Sequence, residues 1–595
     1  MRLFFLLAFA SVFLGGCKLS NTNPAKEGNT ELKALLERYY DERLKLFPIE
    51  ATAIGDNRYN DLLPVEFTNG YRDTLRSFYN SYLTHISKYD RENLNDKDKL
   101  SFNVFTREMQ LGVEGLTFQD NYIPFQQFYA LPLTMGQLGS GDGIQPFKTV
   151  KDYDDWLSRA KKFAIWTDSS IVYFRKGISA NFVLPKSLVL KMIPQMAAMQ
   201  SERDTASLFY SPVKKIPAGF SNADKNRLTA AFSTLITTSL NPSYKKLEEF
   251  LRNEYLPKAR TTSGIGALPK GTDYYTYLIK TQTTTNKTAE EIYQTGLQEV
   301  ARISRLQDSV KNAVGFKGDM PAFFEYMKTD KHFMPFKTAA EVLAAFKTIQ
   351  QKMEPNLKKM FNHAPKTPFE IRQTEAYRAA SASAEYLQGS PDGTRPGIFY
   401  VPILDATTFN STSGMESLFL HEAIPGHHYQ ISLQQEDTTL PRFRRFGGNN
   451  AYIEGWALYC ESLGKELGLY TDPYQYMAAL GDEIHRAIRL VVDVGLHTKN
   501  MTREEAIKYM MDHEAAGEQY ATMEIERYMA IPGQALGYKM GALKIAELRN
   551  KYQQQQGSNF NLAAFHDNIL MDGALPLSVL EKKMDEWAAK VNGGK

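Results

Sequence analysis

The segment His421-Glu422-Ala423-Ile424-Pro425-Gly426-His427-His428-Tyr429-Gln430 places three of the chain's ten histidines within eight residues. The residues just before it, Met415 to Leu420, are mostly apolar. This pattern predicts a largely buried helix that presents histidine and glutamate side chains inward. Burying such groups without partners costs several kcal/mol, and a bound metal ion is one way to offset that cost.

The spacing of these residues departs from the zinc-binding pattern H-E-x-x-H. In that pattern two histidines on one helix face hold one zinc ion, and the glutamate polarises the attacking water. Here the fourth residue after His421 is Pro425, which cannot bind a metal and removes a helix hydrogen bond, and Gly426 loosens the chain further.

Two histidines compete for the place of the second ligand. On an ideal helix His428 would lie near the face of His421, whereas a kink at Pro425-Gly426 would absorb the two inserted residues and present His427 instead. We favour His427 as the ligand, and expect His428 behind the ligands or beside the substrate. The alternative is a capped helix end whose histidines are satisfied by protein groups.

A third ligand is expected from the apolar, aromatic-rich segment Ala451-Tyr452-Ile453-Glu454-Gly455-Trp456-Ala457-Leu458-Tyr459-Cys460-Glu461. Glu454 follows His427 by 27 residues, enough for a helix, a turn and a returning helix. Glu461 lies seven residues further on and therefore shares a helix face with Glu454. We assign Glu454 as a metal ligand and Glu461 as the carboxylate that fixes the tautomer of a ligand histidine. Cys460 is expected to be a small buried core residue.

Most of the remaining chain has the hydrophobic period of helices, so the predicted fold class is mainly α. The best strand candidate is Gly397 to Val401, between Pro396 and Pro402. A loop at 264–271 suggests a boundary between an N-terminal helical lobe, 31–270, and a C-terminal helical lobe, 271–595, that carries the metal site. The predicted helices span residues 31–47, 75–86, 152–174, 226–255, 289–314, 339–361, 415–428, 451–467, 474–498, 503–511, 517–529, 534–554 and 578–591.

The composition excludes two classes of protein. The 595 residues include 70 basic and 67 acidic side chains, a net charge of +3, whereas a nucleic-acid-binding protein usually carries a strong basic excess. We therefore expect no nucleic-acid partner. A mean hydropathy of −0.39 excludes a polytopic membrane protein.

The first 17 residues have the features of a lipoprotein signal peptide. Arg2 supplies the charged start, and residues 3–14 form an apolar run too short to span a bilayer. Leu14-Gly15-Gly16-Cys17 resembles a bacterial lipoprotein cleavage box. This predicts acylation of Cys17, a tether over residues 18–30, and anchoring to a membrane of the cell envelope, on its periplasmic or outer-membrane face. The alternatives are an ordinary signal peptide with an incidental cysteine, or a buried apolar strand.

The segment 421–430 resembles the HExxPGHxxQ signature of a large bacterial family, domain of unknown function 885. Residues 454–459 (EGWALY) and 532–539 (PGQALGYK) resemble that family's other two blocks, and weaker echoes extend back to 48–55. The family is grouped with zincin metallopeptidases, and its body is similar to thimet oligopeptidase and carboxypeptidase Taq. The resemblance implies two helical lobes flanking a catalytic groove, with a small β element near the metal-site helix, Zn²⁺ as cofactor, and a second glutamate seven residues after the ligand glutamate.

Peptide hydrolysis also needs a group that stabilises the oxyanion, and zincins of this kind typically use a tyrosine or histidine from the C-terminal part. Tyr538 is the first choice, and Tyr528 and His497 follow. Arg489, Asp493 and His497 succeed one another at intervals of four residues on one helix face. That spacing predicts either a substrate-facing stripe or a surface ladder of charges.

Two further expectations concern the substrate. Arg527 and Lys539 could meet a substrate carboxylate, or they could lie in solvent. The strand at 397–401 precedes the metal-site helix, as does the edge strand that binds an extended peptide in zincins, so we expect it to bind substrate by β-addition. A buried hairpin strand is the alternative.

Together these residues predict an envelope-anchored, zinc-dependent peptidase that hydrolyses oligopeptides. His421, His427 and Glu454 would hold Zn²⁺, which activates a water molecule, and Glu422 would take that water's proton. Two alternatives stay open: a non-catalytic lipoprotein that binds a peptide or another ligand, and an amidase that acts on cell-wall peptides.

Overall fold

The computed structural model describes residues 27–375, 379, 383–390, 393 and 395–593. Over these residues the protein is mainly α with one small three-stranded sheet, which confirms the predicted fold class. The predicted signal peptide, Cys17 and tether residues 18–26 lie outside the described residues. None of the described helices is long and apolar enough to cross a membrane.

Each predicted helix overlaps a helix of the structure, but the helices Asp96–Gly115, Lys186–Ala198 and Gly271–Thr283 were not predicted, and the predicted helix 415–428 is interrupted. The predicted helix 226–255 contains two π-helical turns, Ile236–Leu240 and Leu251–Tyr255, of which the first precedes Pro242, a residue with no N–H to donate. The α-helices span Thr30–Leu46, Pro48–Ala53, Asn69–Ile86, Asp96–Gly115, Leu131–Gly139, Val150–Lys161, Phe163–Ser179, Lys186–Ala198, Ser211–Lys214, Asn222–Leu235, Asn241–Phe250, Gly271–Thr283, Ala289–Ala313, Met320–Thr329, Ala339–Met360, Met415–Leu418, His427–Glu436, Arg442–Arg445, Asn450–Ser462, Pro473–Thr498, Arg503–His513, Glu518–Ala530, Leu536–Gln556, Leu562–Leu570 and Leu577–Gly593.

The sheet places the predicted strand at its centre. Gly397–Val401 pairs in parallel with Phe369–Gln373 and antiparallel with Glu385–Leu387. All five residues of the central strand are buried. Because both of its edges are already paired, this strand cannot add a substrate backbone, and the expectation of β-addition at 397–401 is wrong. The edge strands are the two that the sequence pattern did not indicate.

Buried apolar side chains form two large clusters and one small cluster among the described residues. The first cluster includes Trp456 and Cys460 on the helix that carries Glu454, and Cys460 is fully buried as predicted. Both large clusters take residues from before and after position 270. The predicted division into lobes at that position stays a prediction.

Two helices of the candidate site cross at a pair of glycines. A Cβ on Gly455 would lie 2.4 Å from the Cα of Gly541, and a Cβ on Gly541 would lie 1.8 Å from the carbonyl oxygen of Ala451. The backbones of Asn450–Ser462 and Leu536–Gln556 therefore touch. This crossing fixes the distance between Glu454, next to Gly455, and the start of the second helix, where Tyr538 lies.

We expect Gly541→Ala to lower the free energy of unfolding by about 1–3 kcal/mol, because the new methyl group forces the two backbones apart. Urea unfolding followed by circular dichroism would measure the change. Gly481→Ala is the matched control: Gly481 also lies within a helix, but no atom comes within 4 Å of an added Cβ. That control should leave stability unchanged or raise it by up to about 1 kcal/mol. Equal stability of the two variants would contradict the proposed backbone contact.

Candidate metal centre

The helix that carries the first histidine is broken where the Pro-Gly pair occurs. Its last turn, Phe419–Ala423, is π-helical, and Ile424 leaves the helix with extended backbone angles. The chain resumes as a helix at His427. Such π turns occur frequently at functional sites, because they shift the register of the residues that follow. In this segment His427 follows His421 by six residues, two more than the spacing of the histidines in H-E-x-x-H. The wide turn and the break together accommodate these two additional residues.

Two neighbouring groups hold the break in place. A Cβ on Gly426 would lie 1.9 Å from the carbonyl oxygen of His421, so only glycine lets the chain fold back this closely. The indole N–H of Trp456 donates to the carbonyl oxygen of Pro425 at 2.9 Å. Trp456 is fully buried and lies half a turn after Glu454 on the same helix. The contact therefore ties the broken helix to the helix that carries the glutamate.

The structure brings His421, His427 and Glu454 together. The Nε2 atoms of His421 and His427 lie 3.7 and 3.6 Å from the same Glu454 oxygen, Oε2. One ligand atom from each of the three residues lies within 4.8 Å of the other two. Ligand atoms around a tetrahedral zinc ion stand about 3.4 Å apart, as follows from bond lengths of about 2.1 Å. The three side chains therefore fit a single cation with one position left open.

Glu461 lies behind this triad. Its Oε1 is 2.7 Å from the Nδ1 of His421, so the carboxylate can fix a tautomer that leaves Nε2 free. Burial opposes a charged His421, but hydrogen bonding to Glu454 and Glu461 outweighs burial and raises the pKa of His421 to about 10. Burial lowers the pKa of His427 to about 4, so its ring is neutral, as metal binding requires. The Nδ1 of His427 is buried and has no hydrogen-bond partner among the described residues.

Glu422 lies beside the triad and has a strongly shifted pKa. Burial and, to a smaller extent, the negative charge of Glu454 raise the pKa of this carboxyl to about 7, against the opposing charge of His421. The backbone N–H of Tyr386, on the edge strand Glu385–Leu387, lowers it again through a hydrogen bond. An acid group with a pKa near neutrality can both accept and release a proton, which is what general acid–base chemistry requires.

His428 turns away from the triad toward the sheet. Its Nδ1 lies 3.0 Å from the hydroxyl of Tyr386 and 3.3 Å from that of Ser432, and its ring packs on Phe369. The broken helix therefore presents His427, rather than His428, to Glu454. His428 instead lies against the edge strand Glu385–Leu387, which passes beside Glu422.

Tyr538 lies within electrostatic reach of Glu454. Burial and, to a smaller extent, the charge of Glu454 raise the pKa of Tyr538, so its hydroxyl keeps the proton that an oxyanion donor needs. The guanidinium of Arg489 stacks over the Tyr538 ring, 4.7 Å from its centre. Arg489 also donates to the hydroxyl of Tyr528 and to the carboxylate of Glu524.

Three other predicted site residues have internal partners. Tyr528 is fully buried, and its hydroxyl donates to Glu524 at 2.6 Å. Asp493 is fully buried and accepts hydrogen bonds from the Tyr275 hydroxyl and the Gly533 backbone N–H. His497 accepts at Nδ1 from the backbone N–H of Ile265, and its Nε2 contacts the carbonyl oxygen of Tyr528.

These contacts correct the expectations for that helix face. Both ring nitrogens of His497 are occupied, and burial lowers its pKa to about 3, so this histidine has no group left for an oxyanion. Asp493 holds the turn that leads into the helix of Tyr538, and so does not face a substrate. Asp493 and His497 therefore belong neither to a substrate-facing surface nor to a ladder of exposed charges, because residues from elsewhere in the chain cover them. For Arg489, which contacts the Tyr538 ring, a position facing the substrate stays a prediction.

The two cations expected near a substrate carboxylate are also engaged. Lys539 is buried and forms ion pairs with Glu299 at 2.9 Å and Glu483 at 2.6 Å. Arg527 forms an ion pair with Glu524 at 3.1 Å. Lys539 was expected either to contact a substrate carboxylate or to lie in solvent. Its buried ion pairs are inconsistent with both expectations.

Sequence reasoning missed two residues of the site. Arg486 lies 3.8 Å from Glu461, and it comes three residues before Arg489 on the same helix face, a spacing that could have indicated it. Tyr386 contributes its backbone N–H to Glu422 and its hydroxyl to His428. The three-residue strand that holds Tyr386 is too short to give a pattern in the sequence.

We expect Trp456→Phe to lower the free energy of unfolding by about 1–3 kcal/mol, because the buried carbonyl of Pro425 would lose its hydrogen-bond donor. Chemical denaturation would measure the loss. Trp587→Phe is the matched control, since Trp587 is only partly buried and contacts Tyr552 and Phe565 through its ring. A loss for Trp456→Phe no larger than for the control would contradict the role given to the indole N–H.

Two solved structures share this fold. A provisionally assigned lipoprotein of Colwellia psychrerythraea is 28% identical, with a TM-score of 0.84, over 94% of this chain and 99% of its own. A provisionally assigned lipoprotein of unknown function from Shewanella oneidensis is 19% identical, with a TM-score of 0.76, over 93% of this chain and 99% of its own. No curated protein matches the chain.

The family model supplies the identification. It is described as bacterial protein of unknown function (DUF885), and it matches residues 48–584, most of the chain. The family resemblance that the HExxPGHxxQ segment and the two later blocks suggested is thereby confirmed. This chain belongs to the DUF885 family.

Proposed function

We propose that this protein is a zinc-dependent peptidase of the cell envelope that hydrolyses peptide bonds in oligopeptides. The observation that supports the proposal best is the convergence of His421 Nε2, His427 Nε2 and Glu454 Oε2 beside Glu422. Two imidazoles and one carboxylate are the ligand set of many catalytic zinc sites, which keep a fourth position open.

The chemistry divides between the cation and the protein's own groups. Zn²⁺ bound by the triad would activate a water molecule and polarise the scissile carbonyl. Glu422 then takes the proton from the water and passes it to the leaving amine, a role that suits a carboxyl with a pKa of about 7. Tyr538 donates its hydroxyl proton in a hydrogen bond to the oxyanion. Glu461 acts through His421, whose ring it orients.

The edge strand Glu385–Leu387 is the candidate support for an extended substrate. Its inner edge pairs with Gly397–Val401, and the Tyr386 N–H reaches Glu422. A peptide that lay along this strand would place its backbone beside the general base.

The proposed location rests on the N-terminal sequence. Leu14-Gly15-Gly16-Cys17 is a lipoprotein cleavage box by pattern, and the two similar solved structures are described as lipoproteins. Acylation of Cys17 would attach the protein to a membrane of the envelope, where peptides are the proposed substrates.

Substitution of His427 and His428, one at a time, should show which of the two binds the metal. Loss of a carboxylate that hydrogen-bonds a ligand histidine weakens metal binding roughly 10–100-fold, and we expect Glu461→Gln to fall within that range. His427→Ala removes a ligand and should weaken zinc binding by more than that. His428→Ala should change the affinity by less than about threefold, because its ring points to Tyr386. Competition with a chromophoric chelator would measure all three. A greater loss for His428→Ala than for His427→Ala would reverse the assignment.

We expect Glu422→Gln to keep one equivalent of zinc and to cleave quenched fluorescent peptides about 10²–10⁴-fold more slowly, because the amide cannot take a proton. Glu466→Gln, a surface carboxylate paired with Arg549, is the control and should cleave normally. Full activity of a zinc-loaded Glu422→Gln variant would remove Glu422 from the mechanism. Peptide binding by the unaltered protein without any cleavage would favour the non-catalytic alternative.

A further inference from the structure

A polar cavity lies at the beginning of the helix that carries Glu454. It has a volume of about 320 Å³ and lies between the helix Asp96–Gly115, the end of Gly271–Thr283 and the loop that precedes Asn450. Its polar lining includes Arg107, Glu108, Gln282, Arg444 and Asn450. None of these residues belongs to the triad or to its hydrogen-bonded surroundings.

The cavity is close to the candidate metal centre. Asn450 precedes Glu454 by one helical turn on the same face, about 6 Å along the helix axis. The side-chain amide of Asn450 donates to the carbonyl oxygen of Gln534 at 2.6 Å, and a Cβ on Gly537 would lie 2.3 Å from that amide. The cavity and the triad therefore share the first turn of one helix, so a peptide bound at the triad could extend toward the cavity.

The charges around the cavity are not balanced. Arg107 donates only to the backbone oxygen of Lys280 and forms no ion pair with a described residue. Arg444 is buried; it donates to the backbone oxygen of Asp572 and to the Ser101 hydroxyl, and its Nε has no partner among the described residues. Burial lowers the pKa of both guanidiniums, as expected for cations that lack a carboxylate in contact.

Glu108 offsets this positive charge only in part. The structure gives its carboxyl no hydrogen bond or ion pair with a described residue, and burial raises its pKa to about 7 despite three arginines nearby. The cavity is therefore lined by two guanidiniums and one carboxyl, none of which forms an ion pair with a described residue. Arginine hydrogen-bonds carboxylates with two parallel N–H groups, so the missing partner has the chemistry of a carboxylate.

We propose that this cavity is a substrate subsite in which Arg107 binds a carboxylate of the peptide, with Arg444 adding positive charge behind it. The carboxylate is either the C-terminal group of the peptide or an acidic side chain, since the two present the same oxygen pair. Arg107 is the contacting residue because it is only partly buried, whereas Arg444 is closed off from solvent. The subsite rests on the proposed peptidase function for its substrate class, but not for its ability to bind.

Binding of two pairs of fluorescent peptides to the zinc-loaded Glu422→Gln chain tests the subsite without cleavage. In the first pair, one peptide has a free C-terminal carboxylate and the other has a C-terminal amide. In the second pair, both peptides have a C-terminal amide, and one carries Glu where the other carries Gln at a single internal position. Fluorescence anisotropy should show about tenfold tighter binding of the carboxylate form in at least one pair. The pair that shows the preference identifies which carboxylate is recognised.

Substitutions then connect the preference to the cavity. Arg107→Gln should bring the affinity ratio of that pair to about one and leave the affinity for the uncharged peptide unchanged. Arg107→Lys keeps the charge but loses the paired N–H groups, and should retain only part of the ratio. Arg305→Gln removes an exposed arginine from another helix and should leave the ratio unchanged. The absence of a preference in both pairs, or a preference that survives Arg107→Gln, would overturn the subsite.

The outcome is separable from that of the proposed function. If the unaltered protein cleaves no peptide but the Arg107-dependent preference is present, the subsite stands and the peptidase proposal fails. If peptides are cleaved and Arg107→Gln leaves the affinity ratio intact, the peptidase proposal stands and the subsite fails. Unchanged zinc stoichiometry and unfolding midpoints in the Arg107 variants would show that neither result comes from misfolding.

Discussion

The site depends on one electrostatic constraint: two carboxylates on one buried helix face, Glu454 and Glu461, both point at His421. Negative charge in the protein interior is costly unless positive charge lies beside it. The proton that Glu454 and Glu461 hold on His421 supplies that charge in the structure described. A divalent cation shared by His421, His427 and Glu454 would supply it more fully. Such an arrangement gives little stability by itself.

The remaining features can be understood as ways of keeping these groups in place. The π-helical turn and the break at Pro425 bring His427 to Glu454, and Gly426 lets the chain fold back on His421. Trp456 ties the break to the opposite helix. A helix that continued without a break would have turned the second histidine elsewhere, because positions six residues apart lie on different faces. The insertion that separates this segment from H-E-x-x-H is thus absorbed locally.

Much of the fold and the triad could be predicted from sequence, because both depend on local periodicity. Helical spacing gave the shared face of Glu454 and Glu461, and the Pro-Gly pair indicated where the helix would break. The same spacing misled at Asp493 and His497: periodicity defines a face but does not reveal what covers it. Here Tyr275, Ile265 and Gly533, all distant in sequence, occupy that face. The edge strand of Tyr386 left no signal, since three residues are too few for an alternating pattern.

Tyr538 shows how the interior controls a position that local sequence cannot. The next residue, Lys539, is buried between Glu299 and Glu483, and Arg302 pairs with the same two carboxylates. This network joins three helices, Ala289–Ala313, Pro473–Thr498 and Leu536–Gln556. A buried network of this kind is sensitive to geometry, since moving one helix would leave a charge unpaired. Together with the glycine crossing at Gly541 it restricts the rotation and the distance of the Tyr538 helix, so the position of Tyr538 depends on contacts that its helix neighbours make with distant parts of the chain.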